Sequence, residues 1–394
     1  MAIYLDHAAT TPLRPDVLDA MLPYLTGEFG NPSSAHGFGR RARAALDEAH
    51  QRVAARIGGE AREIVFTSGG TEALNLGLKG AAWAGKARGH RIVTSAVEHH
   101  AVGHTLRHLE KFGFEIVELP VDRYGRVDPD AVESAITDKT ILVSIMVANN
   151  EVGTIQPIAD IAHRVHSHRG VLFAVDAVQA GPHLDLDVEA LDVDLLALSA
   201  HKFEGPKGVG ALYLRHGTHL VVQQQGGTQE RHRRGGTENV AGAVGMATAY
   251  DLACAERAET GKRLRRLRER LQKAVLAVDG TELTGHPRER LPNHLSLIAR
   301  DTDGNALTMS LDLAGIAASV GSACTTGSTE VSHVLTAMGY PEEEARGALR
   351  LSLGRTTTDA DIEEACVTVP RVVEMMRTGH VAVAADPLGQ GALA

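Results

Sequence analysis

The feature that most constrains this chain is a rhythm between residues 60 and 215, where short apolar, β-branched runs alternate with stretches of helical periodicity. The strand candidates are Glu63–Thr67, Arg91–Ser95, Glu115–Leu119, Thr140–Val147, Val171–Val175, Asp194–Ser199 and Val209–Leu214. Helix patterns such as Thr71–Ala84, His100–Phe112 and Pro157–His168 lie between them. Parallel strands need long crossovers, and helices used as crossovers cover both faces of the sheet, so each strand reads as a continuous apolar run. The expected class is therefore α/β, with a mostly parallel seven-stranded sheet covered by helices. Ligands of such sheets bind beyond the carboxyl ends of the strands. The residues just after each run are the ones to inspect.

At 394 residues the chain is too long for one ordinary core. A long helical stretch from Glu238 to Val278 breaks the rhythm. Three further strands (His294–Ile298, Ala317–Val320, Ala348–Leu353) and two helices follow, and predict a smaller α+β domain. The basic run Lys262–Arg270 carries Leu264, Leu267 and Leu271 at helical spacing. It reads as a solvated helix whose leucine seam faces a core, or else as a docking surface for an acidic partner. Residues 379–394, rich in Ala and Gly, are expected to be a disordered tail. A net charge of −9 argues against nucleic acid as a partner. No apolar run is long enough to span a bilayer, and there is no signal-peptide pattern at the N-terminus. Three scattered cysteines do not make a disulfide framework, so the expected compartment is the reducing cytoplasm.

Several segments carry chemistry. Lys202 ends Ser199-Ala200-His201-Lys202, just past the apolar run Leu195–Leu198 and before a glycine-rich loop. An amine there is placed to form a Schiff base, with a buried ring and nearby cations lowering its pKa; a surface lysine at a strand end is the plainer alternative. Asp176 closes another strand and is followed by Gln179. A buried carboxylate needs a partner. A protonated pyridine nitrogen would serve, making that ring an electron sink, with Gln179 in reach of the ring hydroxyl; a structural strand-end Asp is the commoner case.

Ser68-Gly69-Gly70-Thr71 joins a strand to a helix, where backbone N–H groups and a hydroxyl suit a phosphate. An ordinary N-cap turn is the alternative. The pattern is neither a Walker A loop nor a dinucleotide fingerprint, which disfavours ATP and dinucleotides. His99 is placed to lie flat on an aromatic ring. His100, His104 and His108 share a helix face at a spacing that can bind zinc. No acid- or cysteine-bearing third element accompanies them, so no resident metal is expected. Cys324 sits among small, polar, flexible residues in Gly321-Ser322-Ala323-Cys324-Thr325-Thr326-Gly327. A thiol there is an oxidation liability unless it is used, which marks it as reactive. Cys254 and Cys366 lie in helical patterns and read as packing residues. Arg350, in the core-bound strand Leu349–Leu353, needs an anion: a substrate carboxylate or an internal Asp or Glu.

Taken in order, these segments closely resemble the cysteine desulfurases of the NifS/IscS type, within the aminotransferase class V family of fold-type-I pyridoxal enzymes. The resemblance runs from Tyr4-Leu5-Asp6-His7-Ala8-Ala9-Thr10-Thr11-Pro12 to about Arg355. Its most specific pieces are Thr67-Ser68-Gly69-Gly70-Thr71-Glu72, Glu98-His99-His100-Ala101-Val102, Ala148-Asn149-Asn150-Glu151-Val152-Gly153, His201-Lys202 and Gly321-Ser322-Ala323-Cys324-Thr325.

The resemblance implies pyridoxal 5′-phosphate bound to Lys202, His99 stacked on its ring and active in proton transfer, Asp176 at the pyridine nitrogen and Gln179 at the ring oxygen. It puts Gly70, Thr71, Ser199 and His201 at the phosphate, and Asn150 near both cofactor and substrate. Thr237 would reach the phosphate of a neighbouring subunit, which implies a homodimer. Asn31, Asn150 and Arg350 would hold the L-cysteine substrate, whose sulfur passes to Cys324 and then to an acceptor such as an iron–sulfur scaffold protein. A transferred cluster held briefly by Cys324 is the one metal role this allows. The implied domains are residues 13–255, and residues 1–12 together with 256–378. Relatives that serve such a scaffold often end in a docking sequence; this chain ends Pro387-Leu388-Gly389-Gln390-Gly391-Ala392-Leu393-Ala394, so docking by that route is not expected. Position 70 is glycine where alanine is also common, with no effect expected on phosphate binding. An aminotransferase or selenocysteine lyase of the same fold, or an idle binding scaffold, are the competing readings.

Overall fold

The computed structural model describes residues 2–321 and 331–379. Its twelve strands are β1 (Ile3–Tyr4), β2 (Ile64–Thr67), β3 (Arg91–Ser95), β4 (Glu115–Leu119), β5 (Thr140–Ser144), β6 (Leu172–Asp176), β7 (Leu195–Ser199), β8 (Gly210–Leu214), β9 (Thr281–Leu283), β10 (His294–Ala299), β11 (Ile316–Ala317) and β12 (Ala348–Ser352).

β2 to β8 form one seven-stranded sheet in the order β2-β8-β7-β6-β5-β3-β4. β8 runs antiparallel to both of its neighbours, and the other pairings are parallel. β2, β3, β5, β6 and β7 therefore end at the same edge. Apart from its edge strand β4, the sheet is buried on both faces, and its residues alternate between two cores with the strand period of two. Ile64, Phe66, Phe173, Val175, Leu196 and Tyr213 pack on one face; Val65, Ala174, Leu195, Ala197 and Leu212 pack on the other. On this second face the helix Gly70–Gly85 comes in close because Gly77 has no side chain: a Cβ there would stand 3.1 Å from Leu195 Cδ2.

The helix Val240–Val275 leaves this region. Its residues 240–250 are largely buried in or beside the large core, none between 251 and 263 is buried, and Leu264, Leu267, Leu271 and Val275 enter a separate core. That second core joins Ile3 and Leu5 from the N-terminus to Leu295, Leu297, Leu349, Leu351 and the helix Asp359–Thr378. It is roofed by a three-stranded antiparallel sheet, β12-β10-β9, and by the parallel pair β1-β11. The leucine seam of the basic run thus faces a core, as expected. Three of its arginines are engaged within the chain: Arg266 and Arg270 with Asp359, and Arg263 with the carbonyls of Arg355 and Thr357.

Three expectations need adjustment. The strand read as Thr140–Val147 stops at Ser144, although Ile145 and Val147 still donate to the carbonyls of Ala174 and Asp176 in β6. The strand read as Ala317–Val320 is Ile316–Ala317. Among the described residues four helices rather than two lie beyond Leu283: Gly304–Leu313, His333–Ala337, Glu342–Ala345 and Asp359–Thr378. Residues 380–394, and with them most of the expected tail, lie outside the described residues.

Candidate active site

A cleft of about 330 Å³ opens where five strands of the large sheet end. Each of those ends delivers part of the lining. β2 leads into Gly70 and Thr71, β3 into His99, and β5 into Met146 and Asn150. β6 ends on Asp176, with Val178 and Gln179 after it, and β7 ends on Ser199, with His201 and Lys202 after it. Gly321 and Arg350 close the cleft from the other core.

Lys202 ends a short 3-10 turn, Ala200–Lys202, and its Nζ donates to the carbonyls of Ala8 (2.7 Å) and Ala9 (2.8 Å). The N-terminal segment is thus a wall of the site. Thr11 donates through both its N–H and its hydroxyl to the His201 carbonyl, and Thr10 Oγ1 meets His201 Nδ1 at 3.1 Å. Gln179 Nε2 also donates to the Ala8 carbonyl, at 2.9 Å.

Asp176 is 5% exposed. Burial raises its carboxyl to about 6, although the Val178 N–H at 2.9 Å and the charge of Lys202 pull the other way. A carboxyl so placed lacks a full counter-charge among the described residues, and a ring nitrogen that carries a proton would provide one.

His99 caps the helix His100–Glu110: its Nδ1 accepts from the Ala101 N–H at 3.0 Å, so the proton of the neutral ring sits on Nε2. Burial first, then the positive charge of Lys202 and the neighbouring His100, His333 and His104, lower its pKa to about 4. The ring is neutral at physiological pH and available as a flat face. Its Nδ1 is engaged in the cap, and Nε2 carries the ring's proton.

The loop of residues 68–71 is shaped by two glycines. Gly69 has φ +152°, and a Cβ on Gly70 would stand 2.7 Å from Val178 Cγ2. A larger residue at position 70 would require Val178 to move.

Arg350 projects from β12 and is 2% exposed. Its Nη2 pairs with Asp6 Oδ1 at 2.7 Å, and its Nη1 donates to the carbonyls of Asn150 (2.8 Å) and Gly321 (3.1 Å). The internal carboxylate allowed as one alternative is present, and the guanidinium still lines the cleft. His294 Nε2 donates to the same Asn150 carbonyl at 3.1 Å. The neighbouring Asn149 is fully buried and holds this loop, donating to the Val97 carbonyl and accepting from the N–H groups of Glu151 and Val152.

Two expected site residues stand elsewhere in this chain. Asn31 is exposed, its Oδ1 accepting from the Ser33 N–H, and Thr237 is exposed after a glycine pair; neither lines the cleft. Cys324 lies outside the described residues, three positions beyond Gly321 of the cleft rim. Three residues of chain span up to about 10 Å. Cys254 and Cys366 are half-buried, with burial raising both thiols, in keeping with packing roles. Among the described residues no group of three His, Cys, Asp or Glu is arranged to hold a metal ion. Nor does any helix among them have the length and apolarity to cross a membrane.

Asp6, Glu98 and the Ala8 and Ala9 carbonyls were not singled out from the sequence. Asp6 and Glu98 lie inside motifs that carried the resemblance, beside residues with more obvious chemistry. A backbone carbonyl leaves no trace in the sequence.

The description of the family model that matches residues 3–364 is aminotransferase class-V. The chain is 49% identical to the cysteine desulfurase IscS of Methanosarcina thermophila over 376 residues, covering 95% of this chain and 93% of that one. It is 47% identical to the IscS of Dictyoglomus turgidum, covering 95% of each. Among solved structures, a NifS-like protein superposes with a TM-score of 0.90 at 37% identity, over 95% of this chain and 100% of the other. SspA in complex with cysteine gives 0.79 at 34% identity, over 89% and 98%. With its sheet, its cleft and these likenesses together, the chain belongs to the aminotransferase class-V family, among the cysteine desulfurases of the NifS/IscS type.

Proposed function

We propose that this enzyme uses pyridoxal 5′-phosphate to move the sulfur of L-cysteine onto Cys324 and release L-alanine. The observation that carries the reading is the convergence, in one cleft, of the Lys202 amine, the buried Asp176 carboxyl and the neutral His99 ring. The residues fit the cofactor. The Asp176 carboxyl is buried without a full counter-charge, and the Gly69–Gly70 turn is a cradle that a side chain would fill.

When bound, the cofactor supplies an electron sink that acidifies the substrate Cα and weakens its Cβ–S bond. Asp176 would hold the ring-nitrogen proton, Gln179 the ring oxygen and His99 the ring face. Gly70, Thr71, Ser199 and His201 would hold the phosphate, with Thr237 reaching across to that of a neighbouring subunit in a homodimer.

Arg350, with Asn150, binds the substrate carboxylate through charge-assisted hydrogen bonds. Lys202 takes the Cα proton at Nζ. Its contacts with the Ala8 and Ala9 carbonyls give the resulting ammonium two acceptors. The Cys324 thiolate then attacks the substrate sulfur. A sulfur–sulfur bond forms and the Cβ–S bond breaks. Its electron pair stays with the carbon fragment, which takes up a proton and leaves as alanine. An ordinary thiol is only a few per cent ionised at pH 7, so the cleft must favour the thiolate. The terminal sulfur passes to an acceptor protein in the cytoplasm, such as an iron–sulfur scaffold.

Replacing Cys324 by alanine tests this. The variant is expected to keep a cofactor absorbance near the visible edge, fixed by borohydride onto Lys202, and to release almost no sulfide from cysteine. Full activity without Cys324 would overturn the reading in favour of another pyridoxal chemistry, such as aminotransfer.

A further inference from the structure

Residues 229–234 form a turn that the chemistry above does not use. Within the single turn Gln229–His232, Glu230, Arg231 and His232 have φ values of +44°, +55° and +63°. Three successive side-chain-bearing residues in the left-handed region are costly and persist only where surrounding contacts enforce them.

Those contacts run to β2 and the phosphate loop. Glu230 is buried; its Oε2 accepts from the Phe66 N–H (3.2 Å) and meets His50 Nε2 at 2.9 Å. Arg231 and Arg233 donate to the carbonyls of Ala61 and Arg62, just before β2. Arg234 grips Glu72, with Nε–Oε1 at 2.8 Å and Nη2–Oε2 at 3.3 Å.

Glu72 is the critical member. It sits in the first turn of the helix Gly70–Gly85, and its Oε2 accepts from the Ser68 N–H at 2.7 Å, which pins the loop between strand and helix. It also lines the same opening as Gly70, Thr71, Ser199 and His201. A carboxylate is thus built into a cradle meant for a phosphate, where like charge would oppose binding. Burial would raise its pKa, but Arg234 and the Ser68 N–H hold it below its ordinary value, so the charge is present.

We propose that Arg234 is a positioning residue that cancels the charge of Glu72, so that the loop Glu72 holds in shape can accept the cofactor phosphate. The proposal deepens the pyridoxal phosphate reading and rests on it.

The test uses the full-length chain freed of cofactor, titrated separately with pyridoxal phosphate, pyridoxal and inorganic phosphate. Arg234→Gln is expected to weaken pyridoxal phosphate and inorganic phosphate about tenfold and to leave pyridoxal unchanged. Arg234→Lys, which keeps the charge, should bind within about threefold of wild type. The double variant Glu72→Gln with Arg234→Gln should recover most of the loss, because the uncancelled charge is gone. A role that was only structural predicts the opposite, a double variant at least as impaired as the single one. Equal loss of pyridoxal and pyridoxal phosphate would overturn the proposal, as would a double variant no better than Arg234→Gln. If wild type and Arg234→Gln bind pyridoxal phosphate equally well, the pair has no such role and the proposed activity stands. A wild-type chain that binds no phosphate compound would remove both.

Discussion

Replacing Glu98 by glutamine should make the enzyme more stable, by an amount that grows with pH. Glu98 is 4% exposed, beside the cleft. Both of its donors, Ser95 Oγ at 2.6 Å and the Met146 N–H at 2.9 Å, fall on Oε1, and Oε2 has no partner among the described residues. A carboxylate would leave that oxygen charged and bare, whereas a carboxylic acid carries its proton there. Burial is the main cause that raises the group from 4.5 to about 8, with nearby Asp176 adding to it against the pull of Ser95 and Met146.

The folded chain therefore binds a proton that the unfolded chain has already lost over most of this range. Stability from this group is fully present below pH 4.5 and drains away as the pH rises through about 8. At about 1.4 kcal/mol per unit, the loss is about 1 kcal/mol at pH 5.5 and about 3 kcal/mol at pH 7. Glutamine keeps the acceptor at Oε1 and never ionises, so it escapes the loss. Urea unfolding of the cofactor-loaded enzyme, followed through the single tryptophan, Trp83, measures the difference directly. The variant should be the more stable by about 1 kcal/mol at pH 5.5, widening to about 3 kcal/mol at pH 7, with turnover at pH 7 within a few-fold of wild type. A gap that does not change with pH, or a less stable variant at pH 7, would refute the reasoning.

Two other predictions concern the site and the second core. His99 is held neutral down to about pH 4, so it should contribute no inflection to the turnover profile between pH 5.5 and 8, and His99→Phe should lower cofactor retention without moving the remaining inflections; the pH–rate profiles of both proteins decide this. Leu267 is fully buried where the helix Val240–Val275 enters the second core, and Leu267→Ala should cost about 2–5 kcal/mol by urea unfolding at fixed cofactor concentration.

Much of this architecture was legible because it is written in side chains. All seven strands of the large sheet were found within a few residues; in six the reason is that a strand buried on both faces must be largely apolar, while the edge strand β4 carries exposed Glu115 and Glu118. β9 was not: Thr281-Glu282-Leu283 is half-buried and too short to show a pattern. The cleft was legible in a particular way. Lys202, Asp176, His99, Gly70 and Thr71 each follow a strand, and the parallel arrangement carries all those strand ends to one edge, so residues far apart in sequence had to meet there.

What stayed hidden were the groups that give those side chains their properties. The acceptors for Lys202 are backbone carbonyls of Ala8 and Ala9, and the counter-charge of Arg350 is Asp6, 344 residues away. Glu72 and Arg234 read separately as a helix-start acid and a loop base; only the fold sets them 2.8 Å apart beside the Gly69–Gly70 turn. A sequence of this kind announces its reactive groups, because few residue types can perform the chemistry. It conceals their partners, because almost any carbonyl or carboxylate will serve provided the topology brings it within 3 Å.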